Sequence, residues 1–301
     1  MTKEEKFVNK LGPGKVLLNE KLAKYTYMKV GGPADLLVLA SSSHELIEAV
    51  SVAQSLGIGV TILGNSANVL VADKGIRGLT ILNNSKNYKF LPHDYLEADS
   101  GVSVVELINQ ASKRKLTGFE RMMKVPATVG GAIFMNAGDT NKGEFFGDLV
   151  RSVRVLTPLG QIKNIPQEDC GFSYRTSRFQ TSGEVILSAV LQLRSVAKED
   201  IEEKVRDILV RKVNQPAGPS VGSTFRNPEG HFAGELLEKA GVKGIVLGGA
   251  KVSEKHANFI LNLGNASASN IRDLIMLMKR KVKETSRVEL EEEVRYVGEW
   301  D

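Results

Sequence analysis

The chain is poor in the residues that build disulfides and protein-held metal sites. Among its 301 residues it has one cysteine, Cys170, and four histidines scattered along the sequence. A single cysteine excludes a disulfide within the chain and any cysteine-rich zinc site. Because the histidines share no close spacing, we expect no metal ion held by the protein.

Long apolar segments are also missing. No apolar run approaches the ~20 residues that a membrane-spanning helix needs. The first residues alternate in charge with no apolar stretch after them, so we expect no signal peptide, no membrane association and a cytoplasmic protein. Hydrophobic and charged contents of 42% and 25% lie within the globular range, and the length suffices for two or three domains.

The charge balance is mildly basic, with a formal net charge of +5. Basic clusters occur at residues 113–115 and 279–281, but acidic residues are mixed in nearby and few aromatic residues interleave. This pattern favours solvated helix faces, so we expect no nucleic-acid partner. An enzyme that handles anionic nucleotides fits the same charge, because a positive cleft concentrates anions.

Hydrophobic periodicity predicts alternating short strands and helices in three parts. In the first part, Ser42 and Glu45 form a predicted capping box for a helix that ends at Gly57. In the second part, Ser103 and Glu106 form another predicted capping box. The predicted strands include residues 36–40, 60–63, 69–71, 79–82, 95–98, 185–193, 259–262 and 288–297.

The stretch 221–228, VGSTFRNP, is where we place the chemistry. Gly222 lets the backbone turn tightly enough to present Ser223, and Asn227 with Pro228 closes the segment as a turn. A hydroxyl on a constrained loop acts as an acid, as a nucleophile or as a local turn bond. For Gly-Ser-Thr alone, the turn bond is the commoner role.

Two segments rich in small residues suit close approach of a phosphate or a flat polar ligand. Residues 64–68, GNSAN, follow a predicted strand, and residues 125–138 contain Gly130, Gly131, Asn136 and Gly138. The first segment is neither a Walker loop nor a Gly-x-Gly-x-x-Gly motif. The alternatives are an ordinary turn and tight backbone packing. Two such segments in neighbouring parts favour a bound dinucleotide.

Two further sites carry charge in suggestive places. Glu293 and Arg295 are two apart, a spacing that puts both side chains on one face of a strand. They are either a surface ion pair or a polarising pair at a reacting carboxylate. Arg175 follows an aromatic run, and a strand-end charge is its alternative role.

Together these segments resemble the UDP-N-acetylenolpyruvoylglucosamine reductase family, flavoenzymes that make UDP-N-acetylmuramate for peptidoglycan. The resemblance runs from Thr26 to Val297, through ordered motifs at residues 28–35, 126–138, 172–175, 222–228, 248–253 and 290–295. It implies an α+β fold with a two-lobed FAD-binding module of the vanillyl-alcohol oxidase (PCMH) type and a C-terminal α/β substrate-binding domain. The implied domains are residues 1–85, 86–198 and 199–301, and a return of the last strand to the flavin site is left open.

The resemblance also implies roles for individual residues. Ser223 would donate a proton, after hydride from the reduced flavin N5, and Arg175 and Glu293 would complete the catalytic set. Substrate contacts fall on Tyr174, Asn227, His256 and Arg295. FAD contacts fall on Gly64, Asn65, Ser66, Ala67, Asn68, Thr128, Gly130, Gly131, Asn136 and Gly138.

FAD is the implied cofactor, NADPH the co-substrate and a UDP-sugar the substrate of an expected monomer. Because only 19 residues separate Pro228 from Gly248, the chain resembles the short-loop (type II) subclass. Ser66 and Ala67 stand where the family usually has Gly-Ser, and Lys124 and Ala127 replace usual glycines, so we expect altered FAD contacts there.

Two other functions are considered at this point. One is an FAD-dependent sugar or alcohol oxidase of the same superfamily, which would consume oxygen and need no NADPH. The other is a non-catalytic module that binds nucleotides or nucleic acid, suggested by the basic charge and the glycine-rich loops alone.

Overall fold

A computed structural model describes residues 1–139 and 143–301, except for the side chains of Arg211 and Asn214. The chain forms two compact units, each assembled from segments that are distant in sequence. Unit 1 comprises Met1–Val16, Leu37–Asn65 and Thr80–Lys212, and unit 2 comprises Leu17–Leu36, Ser66–Leu79 and Val213–Asp301. The division into two flavin lobes and a substrate domain stays a prediction.

Helices and strands alternate through both units. The helices are α1 Lys3–Leu11, α2 Ser43–Leu56, α3 Val104–Ser112, α4 Val129–Met135, α5 Lys198–Arg211, α6 Ala233–Lys239 and α7 Ala268–Ser286. The strands up to residue 145 are β1 Val16–Lys21, β2 Pro33–Ala40, β3 Val60–Leu63, β4 Val69–Val71, β5 Ile76–Asn83, β6 Tyr88–Leu91, β7 Tyr95–Asp99, β8 Leu116–Thr117, β9 Gly138–Asp139 and β10 Glu144–Phe145. The later strands are β11 Val150–Leu156, β12 Ile162–Pro166, β13 Val185–Gln192, β14 Arg194–Ser195, β15 Ser220–Ser223, β16 Val246–Leu247, β17 Ala250–Val252, β18 Phe259–Asn262 and β19 Arg295–Val297.

Unit 1 is organised around an antiparallel sheet with the order β12-β11-β13-β7-β6. On its central strand β13, Leu187, Ala189 and Leu191 alternate with their neighbours and are buried. This alternation places the three side chains on one face of the sheet. The apolar residues of α3 and α4 belong to the same buried cluster. The core of unit 1 therefore lies between this face and the two helices.

The helix α2 shows how far local sequence decides an element of unit 1. Ser42 Oγ accepts a hydrogen bond of 3.2 Å from the Glu45 N–H, and the helix ends at Gly57, whose φ is 62°. A glycine suits that left-handed terminal position because it has no Cβ. The strands β2, β5 and β3 are neighbours, in that order, in another sheet. The predicted cap at Ser103 is wrong, since its side chain makes no capping bond although α3 begins there.

Unit 2 contains an antiparallel sheet with the order β15-β18-β17-β16. The long helix α7 supplies much of its core through Ile271, Leu274, Ile275, Met278 and Val282, which recur at helical spacing and are buried. Ser267 caps α7. Asp73 accepts hydrogen bonds from two free N–H groups of the first turn, those of Ala268 and Ser269, at 2.8 and 2.9 Å. The strand β1 is hydrogen-bonded to β2.

The prediction of one strand over residues 288–297 is wrong. A regular strand, β19, covers Arg295–Val297 and pairs in parallel with β4. The preceding segment instead meets the end of the Ser223 loop, through an isolated antiparallel bridge between Glu292 and Phe225. The chain bends at Val294 as it passes from one partner to the other. The strand rule that put Glu293 and Arg295 on one face therefore does not apply.

Candidate active site

In unit 1, the two segments rich in small residues meet at Thr128. Thr128 Oγ1 caps α4 by accepting a hydrogen bond of 3.2 Å from the Gly131 N–H. A Cβ placed on Gly64 would lie 2.5 Å from the same Oγ1, and one placed on Gly130 would lie 2.8 Å from the Ser100 Cβ. Gly64 therefore packs closely against Thr128, and Gly130 against Ser100, as a residue with a Cβ would not. We call Gly64, Thr128 and Gly130 together the glycine surface.

This surface fits a cofactor that carries phosphates. Main-chain N–H groups reach an anion only where no side chain intervenes, and glycine-rich turns provide that access. Gly131, near the start of α4, is exposed, and an added Cβ there would make a close contact of 3.3 Å with the Thr128 Oγ1. We found no cluster of three or more potential metal-binding carboxylate, thiol or imidazole groups among the described residues.

Asn136 has a buried side chain that is committed to the main chain. Its Nδ2 donates to the Ser173 carbonyl at 2.8 Å, and its Oδ1 accepts from the Gly147 N–H at 2.9 Å. Its φ is 41°, a left-handed value that asparagine tolerates better than most residues. The side chain therefore holds the segment that leads into Arg175, and the predicted FAD contact of Asn136 stays a prediction.

Arg175 occupies a strained backbone position in unit 1. Its φ is 54°, which costs a residue with a Cβ about 1–2 kcal/mol. Its Nη1 donates to the Gly138 carbonyl at 3.2 Å, and its guanidinium carbon lies 5.6 Å from the centre of the Tyr174 ring. The Gln180 side chain donates to the Arg175 carbonyl at 3.0 Å. Strain that neighbouring bonds hold in place is typical of functional residues.

In unit 2, Ser223 and Glu293 lie on segments that are hydrogen-bonded to each other. Gly222, with a φ of 74°, turns the chain into Ser223, the last residue of β15. The next residue, Thr224, accepts a hydrogen bond of 2.8 Å on its carbonyl from the Glu293 N–H. The structure thus brings together two segments whose predicted site residues, Ser223 and Glu293, are 70 positions apart in the sequence.

The end of the GNSAN segment joins the same group in unit 2. Asn68 Nδ2 donates to the Glu293 carbonyl at 3.0 Å, and the Asn68 carbonyl accepts from the Arg295 N–H at 3.0 Å. Ser66 is buried and has a φ of 52°. Predicted cofactor-binding residues and predicted catalytic residues are therefore held by the same hydrogen bonds.

Asn227 and His256 are the predicted substrate contacts that follow Ser223 in the chain. Asn227 Oδ1 accepts from the Ala233 N–H at 3.0 Å and so fixes the first residue of α6. His256 Nδ1 accepts from the Asn258 N–H at 3.2 Å. Burial, and then the nearby positive charge of Lys243, lowers the pKa of His256 below its usual 6.5. The ring is therefore a neutral acceptor at neutral pH.

Sequence reasoning missed two features beside these residues. Asn258 lies in an apolar run, yet it is 4% exposed and makes hydrogen bonds with all of its polar groups. A polar residue inside an apolar run was the available signal, since buried polar groups need partners. The second feature is the ion pair of 2.7 Å between Lys279 and Glu292, immediately before Glu293. No local pattern indicated that pair.

Two of the residues that replace usual family glycines keep a conformation typical of glycine. Lys124 has a φ of 69°, and Ser66 has a φ of 52°. Both values lie in the left-handed region, which costs non-glycine residues free energy. Each of these two positions therefore carries a backbone cost, whereas Ala127 is not among the residues with positive φ.

The predicted site residues fall into two sets. Unit 1 contains Tyr174 and Arg175 together with Gly64, Asn65, Thr128, Gly130, Gly131, Asn136 and Gly138. Unit 2 contains Ser223, Glu293, Arg295, Asn227 and His256 together with Ser66, Ala67 and Asn68. The role of each in catalysis or binding stays a prediction. In the described part of the chain, no helix is both long and apolar enough to cross a membrane.

Comparison with known proteins identifies the family. Residues 34–165 match a family described as FAD binding domain, and residues 211–297 match the C-terminal domain of UDP-N-acetylenolpyruvoylglucosamine reductase. Curated reductases of that name are 41% identical in Streptococcus uberis, over 94% of both chains, and 40% identical in Streptococcus pneumoniae strain Hungary19A-6, over 99% of both.

Solved structures agree with this and confirm the predicted fold class. The UDP-N-acetylenolpyruvylglucosamine reductase from Thermus caldophilus superposes with a TM-score of 0.80 at 31% identity, covering 94% of this chain and 98% of that chain. An alkyldihydroxyacetonephosphate synthase shares the fold over 64% of this chain and 40% of its own, with a TM-score of 0.50 and 18% identity. The chain thus belongs to the UDP-N-acetylenolpyruvoylglucosamine reductase family.

Proposed function

We propose that this protein is an FAD-dependent reductase of UDP-N-acetylglucosamine enolpyruvate. It converts the enolpyruvyl group to the lactyl ether, giving UDP-N-acetylmuramate for peptidoglycan synthesis, and uses NADPH as the reductant. The observation that carries this proposal is the hydrogen bond from the Glu293 N–H to the Thr224 carbonyl, 2.8 Å. It unites the motif that contains Ser223 with the motif that contains Glu293, in a chain of the reductase family.

The residues of the glycine surface would hold FAD through main-chain groups. Gly64, Thr128, Gly130 and Gly131 are the FAD contacts proposed in unit 1, and Ser66 to Asn68 are those proposed in unit 2. Bound FAD, reduced by NADPH, supplies the hydride for the enolpyruvyl double bond. The protein's own task is then to bind the UDP-sugar, stabilise negative charge and deliver one proton.

Negative charge develops on the substrate carboxylate during the reduction. Arg175 is suited to stabilise it, because guanidinium pairs with carboxylate in a planar, bidentate geometry. In unit 2, Glu293 and Arg295 are held by Asn68 and are the further charged groups proposed for this step. Groups aimed in advance at a developing charge are each worth ~3–4 kcal/mol, by analogy with oxyanion donors.

Ser223 delivers the proton to the carbon beside the carboxylate. A serine hydroxyl is a weak acid, but the carbon that receives the proton is a strong base. Position therefore matters more than a perturbed pKa. Gly222 and the bond between Thr224 and Glu293 fix the main chain on both sides of that hydroxyl. Glu293 assists this proton transfer either through its charge or through a water molecule.

The proposal extends to the setting of the reaction. We place the enzyme in the cytoplasm as a monomer that binds a UDP-sugar and neither nucleic acid nor membrane. Support comes from basic clusters that are mixed with acidic residues and from the lack of a long apolar run. A mildly positive protein favours anionic nucleotides as ligands.

The test is the Ser223→Ala substitution in the flavin-loaded enzyme. We expect the yellow colour and its bleaching by NADPH to persist, while turnover falls by the ~10²–10⁴ of a missing general acid. Ser220→Ala is the matched control, because Ser220 lies on the same strand and its hydroxyl meets only the Gly222 N–H among the described partners, at 3.4 Å. Glu293→Gln should lose turnover as Ser223→Ala does.

Near-normal turnover of Ser223→Ala would remove Ser223 from the mechanism. A colourless purified protein that does not retain added FAD would end the proposal altogether. Oxygen consumption with a sugar or an alcohol, without NADPH, would identify the oxidase considered from the sequence instead.

A further inference from the structure

Asn258 is a buried residue that makes four hydrogen bonds in unit 2. Its Oδ1 accepts from the Phe225 N–H at 2.9 Å, and its Nδ2 donates to the Phe225 carbonyl at 2.9 Å. Its main-chain carbonyl accepts from the Thr224 N–H at 2.8 Å. The side chain thus replaces a neighbouring strand for Phe225, and its polar groups are fully used.

Asn258 holds the short segment, Thr224 and Phe225, that directly follows Ser223. Thr224 and Phe225 are 0% and 1% exposed, so their main-chain groups cannot exchange these bonds for water without local opening. On its other side, the same stretch pairs with the Glu293 segment: the Glu293 N–H donates to Thr224, and the Arg226 N–H donates to the Glu291 carbonyl at 2.9 Å. Asn258 is therefore bonded to the backbone that joins Ser223 to Glu293.

We propose that Asn258 is a positioning residue for the proton-transfer step. It fixes the direction in which the Ser223 hydroxyl points and the place of Glu293, and it does so through the main chain of Thr224 and Phe225. This inference rests on the proposed role of Ser223. Asn258 itself holds no proton for transfer and touches no reacting atom.

An asparagine is required for this task because Phe225 presents a donor and an acceptor side by side. An amide side chain offers one of each in the matching order, whereas a carboxylate offers acceptors alone. In Asn258→Asp, a carboxylate oxygen would face the Phe225 carbonyl, and one bond would turn into a repulsion. A shift of about 1 Å at a reacting group can cost a factor of 10², so a small rotation of this loop is enough.

The test separates the two half-reactions of the flavin-loaded enzyme by stopped-flow absorbance. We expect Asn258→Asp to keep NADPH-driven flavin reduction within about threefold of the parent, because that step needs no proton from Ser223. Flavin re-oxidation by the enolpyruvyl substrate, in contrast, should slow by ~10². We also expect the KM for NADPH to be unchanged in Asn258→Asp.

Asn262→Asp is the matched control. Asn262 is the last residue of β18, the strand that begins directly after Asn258; it is 7% exposed and likewise uses its side-chain amide for main-chain groups. Its partners are the Met28 carbonyl at 2.9 Å and the N–H groups of Gly264 and Ala266 at 2.8 and 3.1 Å. A general loss of stability would affect both variants, whereas slow re-oxidation should occur in Asn258→Asp alone.

A second measurement needs no variant. In the parent protein, the amides of Thr224, Phe225 and Glu293 should exchange with deuterium as slowly as that of Ile260 in the sheet. Fast exchange at these amides would overturn the proposal, and so would equal re-oxidation rates in the Asn258 and Asn262 variants. If Ser223→Ala retains turnover, the role of Ser223 fails. If Ser223→Ala is inactive and Asn258→Asp re-oxidises normally, this inference alone fails.

Discussion

The side-chain amide of Asn68 donates a hydrogen bond of 3.0 Å to the main-chain carbonyl of Glu293. The two residues are 225 positions apart, yet both belong to unit 2. Through this bond, a loop that the sequence assigns to FAD also holds the segment that the sequence assigns to catalysis. A change in the loop is therefore expected to affect Glu293, which is predicted to be catalytic.

We expect Asn68→Ala to lower the free energy of unfolding by about 1 kcal/mol, the usual net worth of one hydrogen bond. It should also lower turnover, because Glu293 loses a support. Urea denaturation and steady-state kinetics measure the two effects. The exposed Asn87→Ala is the control and should change the unfolding free energy by only a few tenths of a kcal/mol. An Asn68→Ala protein with unchanged stability and turnover would contradict this account.

Arg175→Lys tests whether the guanidinium is specifically required. A lysine keeps the charge but cannot pair with a carboxylate in two places, so turnover should fall by ~10²–10³ while FAD is retained. Arg178→Lys provides the control in the same segment, because Arg178 pairs with Glu184 at 3.1 Å. Flavin absorbance and turnover of both variants are measured side by side. Equal activities would show that Arg175 acts only as a positive charge or not at all.

Lys124→Gly tests the cost of the left-handed backbone at a position where the family usually has glycine. Lys124 is exposed and has a φ of 69°, so its replacement should stabilise the protein by about 1 kcal/mol. Ala127→Gly is the control for the other replaced glycine, because Ala127 has no positive φ. It should cost about 0.5–1 kcal/mol through unfolded-state entropy. Chemical denaturation that moves both variants in one direction would refute the strain at Lys124.

His256 should make stability fall in mild acid. Burial lowers the pKa of His256 in the folded state, so below pH 6.5 the unfolded state binds a proton that the folded state resists. The contribution of His256 to the free energy of unfolding is therefore constant above pH 6.5. It declines as the pH falls below 6.5 towards the pKa of His256 in the folded state. Protonation would also remove the Nδ1 acceptor of the Asn258 N–H.

Denaturation between pH 5 and 7.5 measures this decline. His256→Gln should flatten it, and Lys243→Gln should shift it to higher stability in acid by removing the second cause of the lowered pKa. An unchanged slope in His256→Gln would show that other groups govern acid stability.

Helices and strands whose conformation is set by neighbouring residues were predictable from the sequence. The helix α2 follows from the 3.6-residue spacing of Leu46, Val50 and Ala53, between Ser42 and Gly57. The strand β13 follows from strict alternation. The fold class, the FAD domain and the family were likewise predictable, because ordered motifs carry that information.

Elements that depend on distant partners were not predictable. Ser103 has the right neighbour for a capping box, but its side chain makes no capping bond. Residues 288–294 alternate like a strand, but the chain leaves one partner for another and bends at Val294. Local sequence patterns indicate which backbone conformations are low in free energy. Hydrogen bonds to residues that are distant in sequence decide which of these conformations the chain adopts.

The sequence by itself determined where the small, polar and catalytic residues stand and which family they belong to. The tertiary structure decided that Thr224 and Asn68 both form hydrogen bonds with the main chain of Glu293. It also decided that the Asn258 side chain forms hydrogen bonds with the main chain of Phe225. The physical reason is that a buried main-chain donor or acceptor must find a partner wherever the fold places one. No spacing along the chain records which partner that is.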